Sequence, residues 1–364
     1  MRVLHVLNEL RPSGAETMLR AASAIWMQQG ITGEILSTGE VPGDYANALR
    51  QAGYQIHHLP FGRSFRFLTA FFAFVRSGSF DVVHIHSERA AFWYAALAWA
   101  AGPSRLVRTI HAAFDFEGML RVRRGLQRWV MRRVFGCRMA ACSDSVAELE
   151  WDRFRNPVTV LGNWFDSDVY RPSGAVRRDT GEAVVLVTVG NCAAVKNHEA
   201  VLRAMERLPG VRYLHAGCEG EHGERALARE LGVAERVQFL GMVSDLRPVF
   251  GSADLFVMPS LEEGFGIAAV EAMGAGVPVL LADVKGLRDF GKRSGAIRYC
   301  APERGAIEQA IREFMTLPAA ERAEVGAALS EMAHRTFGVA AGAARYTALY
   351  RGEASQGVGR EATT

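Results

Sequence analysis

The sequence predicts an α/β protein made of two doubly wound, Rossmann-like domains. Three observations carry that expectation. Apolar, strand-like runs alternate with helical patterns along most of the chain, the signature of βα units and parallel sheets. The alternation breaks in a polar stretch, Asp166 to Glu182, which holds Pro172, Gly174 and Gly181, and then restarts. At 364 residues the chain is long enough for two domains of ordinary size.

In the first half, strands are expected at residues 3–7, 35–38, 55–59, 82–86, 106–110 and 139–142, where short apolar runs occur. Helices are expected between them, at 15–29, 44–52, 65–76, 90–101 and 119–134. A second set of strands follows at 184–189, 213–216, 237–240, 255–258 and 279–281, with helices at 198–208, 224–231 and 266–275. Beyond residue 303 the pattern is all helical, at 306–315, 319–333 and 339–350. The resulting division is a first domain over 1–165, a linker over 166–182 and a second domain over 183–335. A C-terminal helix over 336–352 is expected to pack back toward the first domain, ahead of a flexible tail, 353–364.

The composition, 49% hydrophobic and 22% charged, is that of a globular protein. The five cysteines are odd in number and scattered without metal-ligand spacing, which points to a reducing, cytoplasmic setting. The N-terminus enters a strand directly, so no secretory signal is expected. The longest apolar runs, 67–75 and 90–101, are too short to span a membrane. Net charge is +3, but residues 1–165 hold 19 Arg, no Lys and 13 acidic residues, which makes them +6 and the remainder −3. A basic first half suits an anionic partner, either a phosphate-bearing substrate or a membrane surface.

The most informative stretch is 259–283, PSLEEGFGIAAVEAMGAGVPVLLAD up to its closing Asp283. Glu263 and Glu271 bracket seven residues that include Gly264 and Gly266, between two apolar runs. That reads as strand, glycine-rich turn, helix and strand. In an open parallel sheet, ligands bind beyond the carboxyl ends of strands, and a helix N-terminus there favours phosphate. The two glutamates add acceptors for hydroxyl groups, so the stretch suits a nucleotide sugar. Gly190-Asn191-Cys192-Ala193-Ala194-Val195-Lys196 follows the first strand of the second half, and Lys196 is one of three lysines against 39 arginines. A lysine in such a loop can hold a phosphate as a point charge.

The first half is less specific. Gly14 follows the first strand and opens a helix, but the run of three glycines of a dinucleotide site is absent. His86 and His111 end strands, where sites form, whereas His84 reads as a core residue. For His111, a hydrogen bond to a sugar or acceptor stands beside a purely structural role. Nothing fixes the histidines in metal geometry, so no metal is assigned. Arg121 to Arg138 contains seven arginines, no acidic residue and interleaved Leu120, Val122, Leu126, Trp129, Val130 and Val134. Two readings stand: a basic amphipathic helix lying on an anionic bilayer, or a core helix with a solvated basic face. No groove-reading or stacking motif accompanies the charge, so nucleic acid is not expected as a partner.

Gly190 to His198, Gly241-Met242-Val243-Ser244-Asp245, Ser252-Ala253-Asp254 and 259–279 together resemble glycosyltransferase family 4. Ser13 to Glu16, Asp81 to His86, His111, Ala141-Cys142-Ser143 and Asn163 resemble its weaker N-terminal landmarks. The resemblance covers about residues 1–335. It implies a retaining, nucleotide-sugar-dependent enzyme of the GT-B fold, with two Rossmann-like domains facing each other across a cleft and the acceptor on the side of the first. Glu263 would sit against the donor sugar, and Glu271 would hold the ribose hydroxyls. Lys196 and the backbone of Gly264, Phe265, Gly266 and Ile267 would neutralise the pyrophosphate. Backbone at Met242 and Val243 would meet the base, and His111 would reach the sugar or acceptor. Gly14, Gly190 and Asn191 complete the donor-binding set, with Glu263, Lys196 and His111 as the catalytic set.

Three departures stand out. Asn191 replaces the arginine that usually shares the phosphate, Ser13-Gly14 replaces a pair of glycines, and Trp164 replaces the glycine after Asn163. The expected partners are a nucleoside-diphosphate sugar as co-substrate and a glycan or lipid-linked acceptor, in cell-surface polysaccharide or glycolipid synthesis. No cofactor or catalytic metal is expected, since no Asp-x-Asp motif appears. A sugar-nucleotide epimerase or hydrolase and a non-catalytic binding subunit are the alternatives. The expected location is the cytoplasm, with the basic helix able to hold the protein on the inner face of the membrane.

Overall fold

A computed structural model describes residues 1–102, 104–112, 116–172, 183–219 and 223–353. The chain forms two compact units, Met1–Trp164 with Val339–Thr364, and Phe165–Gly338.

Unit 1 holds strands β1 (Arg2–Leu7), β2 (Thr32–Ser37), β3 (Gln55–His58), β4 (Val82–Ile85), β5 (Arg105–Ile110), β6 (Arg138–Ala141) and β7 (Thr159–Val160). Its helices are α1 (Gly14–Gln28), α2 (Ala46–Gln51), α3 (Phe65–Gly78), α4 (Ala91–Ala101), α5 (Gly118–Arg133) and α6 (Asp144–Phe154), and it also takes the last helix of the chain. The sheet runs β3-β2-β1-β4-β5-β6-β7, with every described pairing parallel. The chain starts in the middle, winds outward to β3 and returns to β4, so strand order reverses between β1 and β4. Helices on both faces explain why β1, β4 and β5 are almost wholly buried.

Unit 2 holds β8 (Val184–Val189), β9 (Val211–Ala216), β10 (Val237–Phe239), β11 (Leu255–Met258), β12 (Val279–Ala282) and β13 (Arg298–Cys300), in the parallel order β10-β9-β8-β11-β12-β13. Its helices are α7 (His198–Met205), α8 (Glu224–Glu230), α9 (Arg247–Ser252), α10 (Ile267–Gly274), α11 (Arg304–Met315) and α12 (Ala319–Phe337). Leu186, Val201, Met205, Tyr213, Ile311 and Phe314 lie in the core between this sheet and α7 and α11. Here the order reverses between β8 and β11, and that switch point is where an open α/β sheet leaves a crevice for ligand.

The last helix, α13 (Val339–Arg351), packs on α1 of unit 1. Tyr346 and Tyr350 are fully buried there, and the Tyr350 hydroxyl is 2.7 Å from His84 Nδ1. Trp26 Nε1–H donates to the Ala343 carbonyl at 3.3 Å. Trp164, in place of the expected glycine, lies under Gly342, where an added Cβ would be 2.5 Å from the indole. It is fully buried, so this departure fills the core beneath α13.

Four elements lack a counterpart among the expected ones: α6, β7, α9 and β13. The N-cap of α6 was readable, since the Ser143 side chain accepts from the Val146 N–H at 3.2 Å. Strands β7 and β13 hold two and three half-buried residues and carry little apolar signal. The expected linker begins inside unit 2: Phe165 is buried, bridges Gly338 and stacks edge-on against His334, with ring centroids 5.3 Å apart. Residues 173–182 of that linker, and the expected tail from 354 on, lie outside the described residues. No helix among the described residues is long and apolar enough to cross a membrane.

Candidate active site

Two loops meet at the switch point of unit 2. Beyond β8 the chain passes Gly190, makes one 3-10 turn at Ala194–Lys196, and enters α7 through Asn197, whose φ is 56°. Beyond β11 it runs through Pro259 and Ser260 to Glu263 and enters α10 at Gly266. Asn197 fastens the two: its Nδ2 donates to the Pro259 carbonyl at 3.0 Å and to the Pro302 carbonyl at 2.8 Å. The Leu261 N–H donates to the Val195 carbonyl at 2.8 Å. Asn197 was not singled out in the sequence, although an asparagine before a helix is a plausible left-handed residue.

That fastening brings Lys196 onto Glu263. Lys196 Nζ donates to Glu263 Oε1 at 2.5 Å, and Ser260 Oγ donates to the same oxygen at 2.9 Å. The side chains are 31% and 11% exposed, so the pair is partly desolvated but open to a ligand. Gly266 caps α10 with φ 87°, and a Cβ there would lie 2.7 Å from Leu287. Gly286 has φ 85°, and a Cβ on it would lie 2.2 Å from the Glu263 carbonyl oxygen. Both positions therefore need glycine on two counts, conformation and space.

Phe265 is buried, with its ring centroid 5.1 Å from Phe290 and 5.4 Å from Phe337. Its side chain anchors the turn to the core, so any part Phe265 plays at the site falls to its backbone. Glu271 is half-buried in α10, one turn beyond Ile267. Met242 is exposed and Val243 half-buried in the loop after β10, beside Gly241, whose carbonyl accepts from the Gly217 N–H at 2.8 Å. Asn191 turns toward the loop after β9, where its Oδ1 accepts from the Cys218 N–H at 3.0 Å. It braces one loop against another, a task an arginine would not perform in the same way.

In unit 1, Gly14 is the first residue of α1, beside a Ser13 hydroxyl bonded to the Glu16 carboxylate. Burial pushes the Glu16 carboxyl up from its ordinary value. His111 follows β5 and is one end of a row of imidazoles. Its Nε2 is 3.0 Å from His86 Nδ1, and His86 Nε2 is 3.1 Å from His5 Nδ1. Burial lowers His5 to about 3 and His111 to about 4, so both are neutral near pH 7. Burial also holds His86 well below its usual value. A row of neutral imidazoles has one proton in each gap, so the tautomer of His111 depends on those of His86 and His5. His5, on the inner strand β1, gave no signal in the sequence. His84 takes no part in the row, since its two nitrogens meet Tyr350 at 2.7 Å and Thr109 at 2.8 Å.

The basic helix α5 departs from the expectation of a solvated basic face over an apolar core side. Arg128 is fully buried, donating to Glu150 Oε2 at 2.7 Å and lying 3.3 Å from Glu88. Arg108, from β5, also bonds Glu88. Meanwhile Met119, Val122, Leu126 and Trp129 are exposed among Arg121 and Arg123. The helix buries Arg128 beside Met131 and shows most of its other apolar residues.

Comparison with known proteins agrees with this architecture. The family model for Glycosyl transferases group 1 matches residues 175–331, and that for the Glycosyl transferase 4-like domain matches residues 13–164. D-inositol 3-phosphate glycosyltransferase of Mycobacterium marinum is 42% identical over 143 residues, 36% of this chain and 31% of that protein. The matched part thus spans about a third of the length of that relative. A glycosyltransferase structure from Rickettsia africae superposes with a TM-score of 0.82 at 17% identity, covering 96% of this chain and 98% of that one. Anabaena HepE, solved in complex with UDP and glucose, superposes with a TM-score of 0.81 at 18% identity, covering 97% of this chain and all (100%) of that one.

Proposed function

The chain belongs to glycosyltransferase family 4, the retaining family of the GT-B fold, and from that premise we propose that it transfers a hexose from a nucleoside-diphosphate sugar to a hydroxyl of a glycan or lipid-linked acceptor. The observation that carries the proposal is the Lys196–Glu263 pair, 2.5 Å long, at the strand-order reversal of unit 2. The superposed HepE structure was solved with UDP and glucose, which supports a uridine or related diphosphate sugar as donor class.

In the proposed reaction the bond from the anomeric carbon to the diphosphate breaks and the acceptor oxygen attacks from the same face. The acceptor proton passes to the departing phosphate oxygen, and the nucleoside diphosphate leaves. Charge accumulates on the diphosphate, where Lys196 and the N–H groups at the start of α10 stabilise it; such preorganised donors supply the largest catalytic contribution in many enzymes. Glu263 lies against the sugar, Glu271 against the ribose, and Met242 and Val243 against the base. Gly190 and Gly14 let backbone approach the ligand, and His111 serves the sugar or acceptor hydroxyls. This assignment needs no catalytic metal or cofactor. Asn191 acts indirectly, by bracing the loop that carries Lys196.

The exposed apolar residues of α5, set among arginines, support docking to an anionic membrane as a peripheral protein, the setting of surface-glycan or glycolipid synthesis. The deciding experiment is a thermal-shift panel of nucleoside diphosphates and their sugars, followed by transfer assays with and without acceptor. Stabilisation by one base and transfer to acceptor are expected. Donor breakdown without acceptor would indicate an epimerase or hydrolase, binding without any turnover a binding subunit. No stabilisation by any nucleotide would overturn the proposal.

A further inference from the structure

Behind the Lys196 loop lies a second cluster of side chains that the donor site does not use. Cys192 comes from the loop itself, His198 from the first position of α7, His215 from β9 and Glu224 from the first position of α8. All four are buried. The ligating atoms of Cys192, His198 and His215 lie within 4.8 Å of one another. Cys192 Sγ is 3.7 Å from His215 Nε2, and His198 Nδ1 is 3.6 Å from Glu224 Oε1.

The polar atoms of this cluster are poorly satisfied. His198 Nδ1, His215 Nδ1 and Glu224 Oε2 are buried and have no hydrogen-bond partner among the described residues. The separation of 3.6 Å between His198 Nδ1 and Glu224 Oε1 is beyond a hydrogen bond. An unsatisfied buried donor or acceptor costs about 1–3 kcal/mol, and more if charged, so three within one cluster are costly. Meanwhile the His215 Nε2–H donates to the Gly190 carbonyl at 2.9 Å. That bond places the proton on Nε2 and fixes the tautomer, so His215 would ligate through Nδ1, its buried nitrogen without a hydrogen-bond partner among the described residues.

We propose that Cys192, His198, His215 and Glu224 bind one divalent cation of the zinc class, which braces the Gly190–Lys196 loop. One thiolate, two neutral imidazoles and one carboxylate make a borderline-soft, four-donor set that suits tetrahedral zinc. The thiolate and carboxylate together neutralise a dication, which leaves no net charge in the core. Donors about 2.0–2.3 Å from a tetrahedral ion stand about 3.3–3.8 Å apart, so the cluster closes on an ion by side-chain rotation. The thiol proton is released to solvent when the metal binds. The other histidine group, His5, His84 and His86, differs: both nitrogens of His84 are hydrogen-bonded, and among the described residues no thiol or carboxylate joins it.

The test uses the full chain without a histidine tag, stripped with chelator and reconstituted with Zn2+ or Co2+ alone. One ion per chain is expected by elemental analysis. The cobalt form is expected to show the visible bands of a tetrahedral site and a thiolate-to-metal band in the near ultraviolet. Cys192→Ser should abolish the thiolate band. Glu224→Gln, which keeps the volume and so the fold, should weaken metal binding by about tenfold or more. His86→Asn should leave metal content unchanged. Substoichiometric metal after reconstitution, a cobalt spectrum without a thiolate band, or equal binding by the wild type and Glu224→Gln would overturn the proposal. None of these readouts depends on glycosyl transfer.

Discussion

Lys196 and Glu263 make opposite predictions for the two halves of one ion pair. The ammonium bonds the carboxylate at 2.5 Å, so a diphosphate must compete for it. Lys196→Met removes the cation and keeps most of the stem. A charge-assisted hydrogen bond is worth about 1.5–3 kcal/mol, and every 1.4 kcal/mol is tenfold, so the dissociation constant of the nucleoside diphosphate should rise about 10- to 100-fold. Glu263→Gln removes a negative charge from beside the expected phosphate position; two like charges about 4 Å apart repel by about 1–4 kcal/mol at an effective dielectric between 80 and 20. The pair is open to solvent, which favours the lower end, so the free diphosphate should bind about fivefold tighter. Glycosyl transfer by Glu263→Gln should nonetheless fall, because the sugar hydroxyl loses a charged acceptor. Isothermal titration of both variants with the nucleoside diphosphate, beside a transfer assay, reads all three quantities. Weaker diphosphate binding by Glu263→Gln, or unchanged binding by Lys196→Met, would refute the placement of phosphate at this pair.

Other expectations follow from other parts of the molecule. Arg128→Met leaves the buried Glu150 carboxylate without its ion-pair partner, and loss of one partner from a buried pair costs about 3–5 kcal/mol, so thermal denaturation should show unit 1 melting roughly 10 °C lower. Gly286→Ala forces a Cβ to within 2.2 Å of the Glu263 carbonyl at φ 85°; nucleotide binding should drop sharply while far-UV dichroism stays native. His5 and His111 are held at about 3 and about 4 by burial, below the ordinary value, so the unfolded chain takes up protons first on acidification. The stability they give is complete above about pH 6.5 and is lost toward pH 4, at up to about 1.4 kcal/mol per pH unit for each histidine, which urea titrations at several pH values will measure. If α5 docks on membrane, sedimentation with vesicles should increase with anionic lipid and fall with salt; equal binding to neutral vesicles would count against it.

The βα alternation made most of both sheets legible, because strands buried on two faces are nearly continuous apolar runs, as in β8 and β11. The loop residues Lys196 and Glu263 were legible for a different reason: turn glycines and a lone lysine stand out by type. What the sequence withheld depends on residues far apart in the chain. Asn197 joins Pro259 and Pro302 only because β8 and β11 are neighbours. The Cys192, His198, His215 and Glu224 cluster spans a loop and three elements with no regular spacing, so counting cysteines could not find it. The burial of Arg128 was not legible in the amphipathic pattern of α5, since nothing local announces that Glu88 and Glu150 will be waiting for it.

Unit 1 owns both ends of the chain, and unit 2 is written between them. On the ribosome, therefore, the unit begun first is the one finished last. Until α13 emerges, α1 lacks the helix packed on it, His84 lacks Tyr350, and Trp26 and Trp164 lack Ala343 and Gly342. Unit 2 can complete its own core in that interval. The nascent protein would then carry a finished second unit and an open, aromatic-rich first one, a form for which chaperones have a use. A stop codon anywhere before Val339 would make that interval permanent.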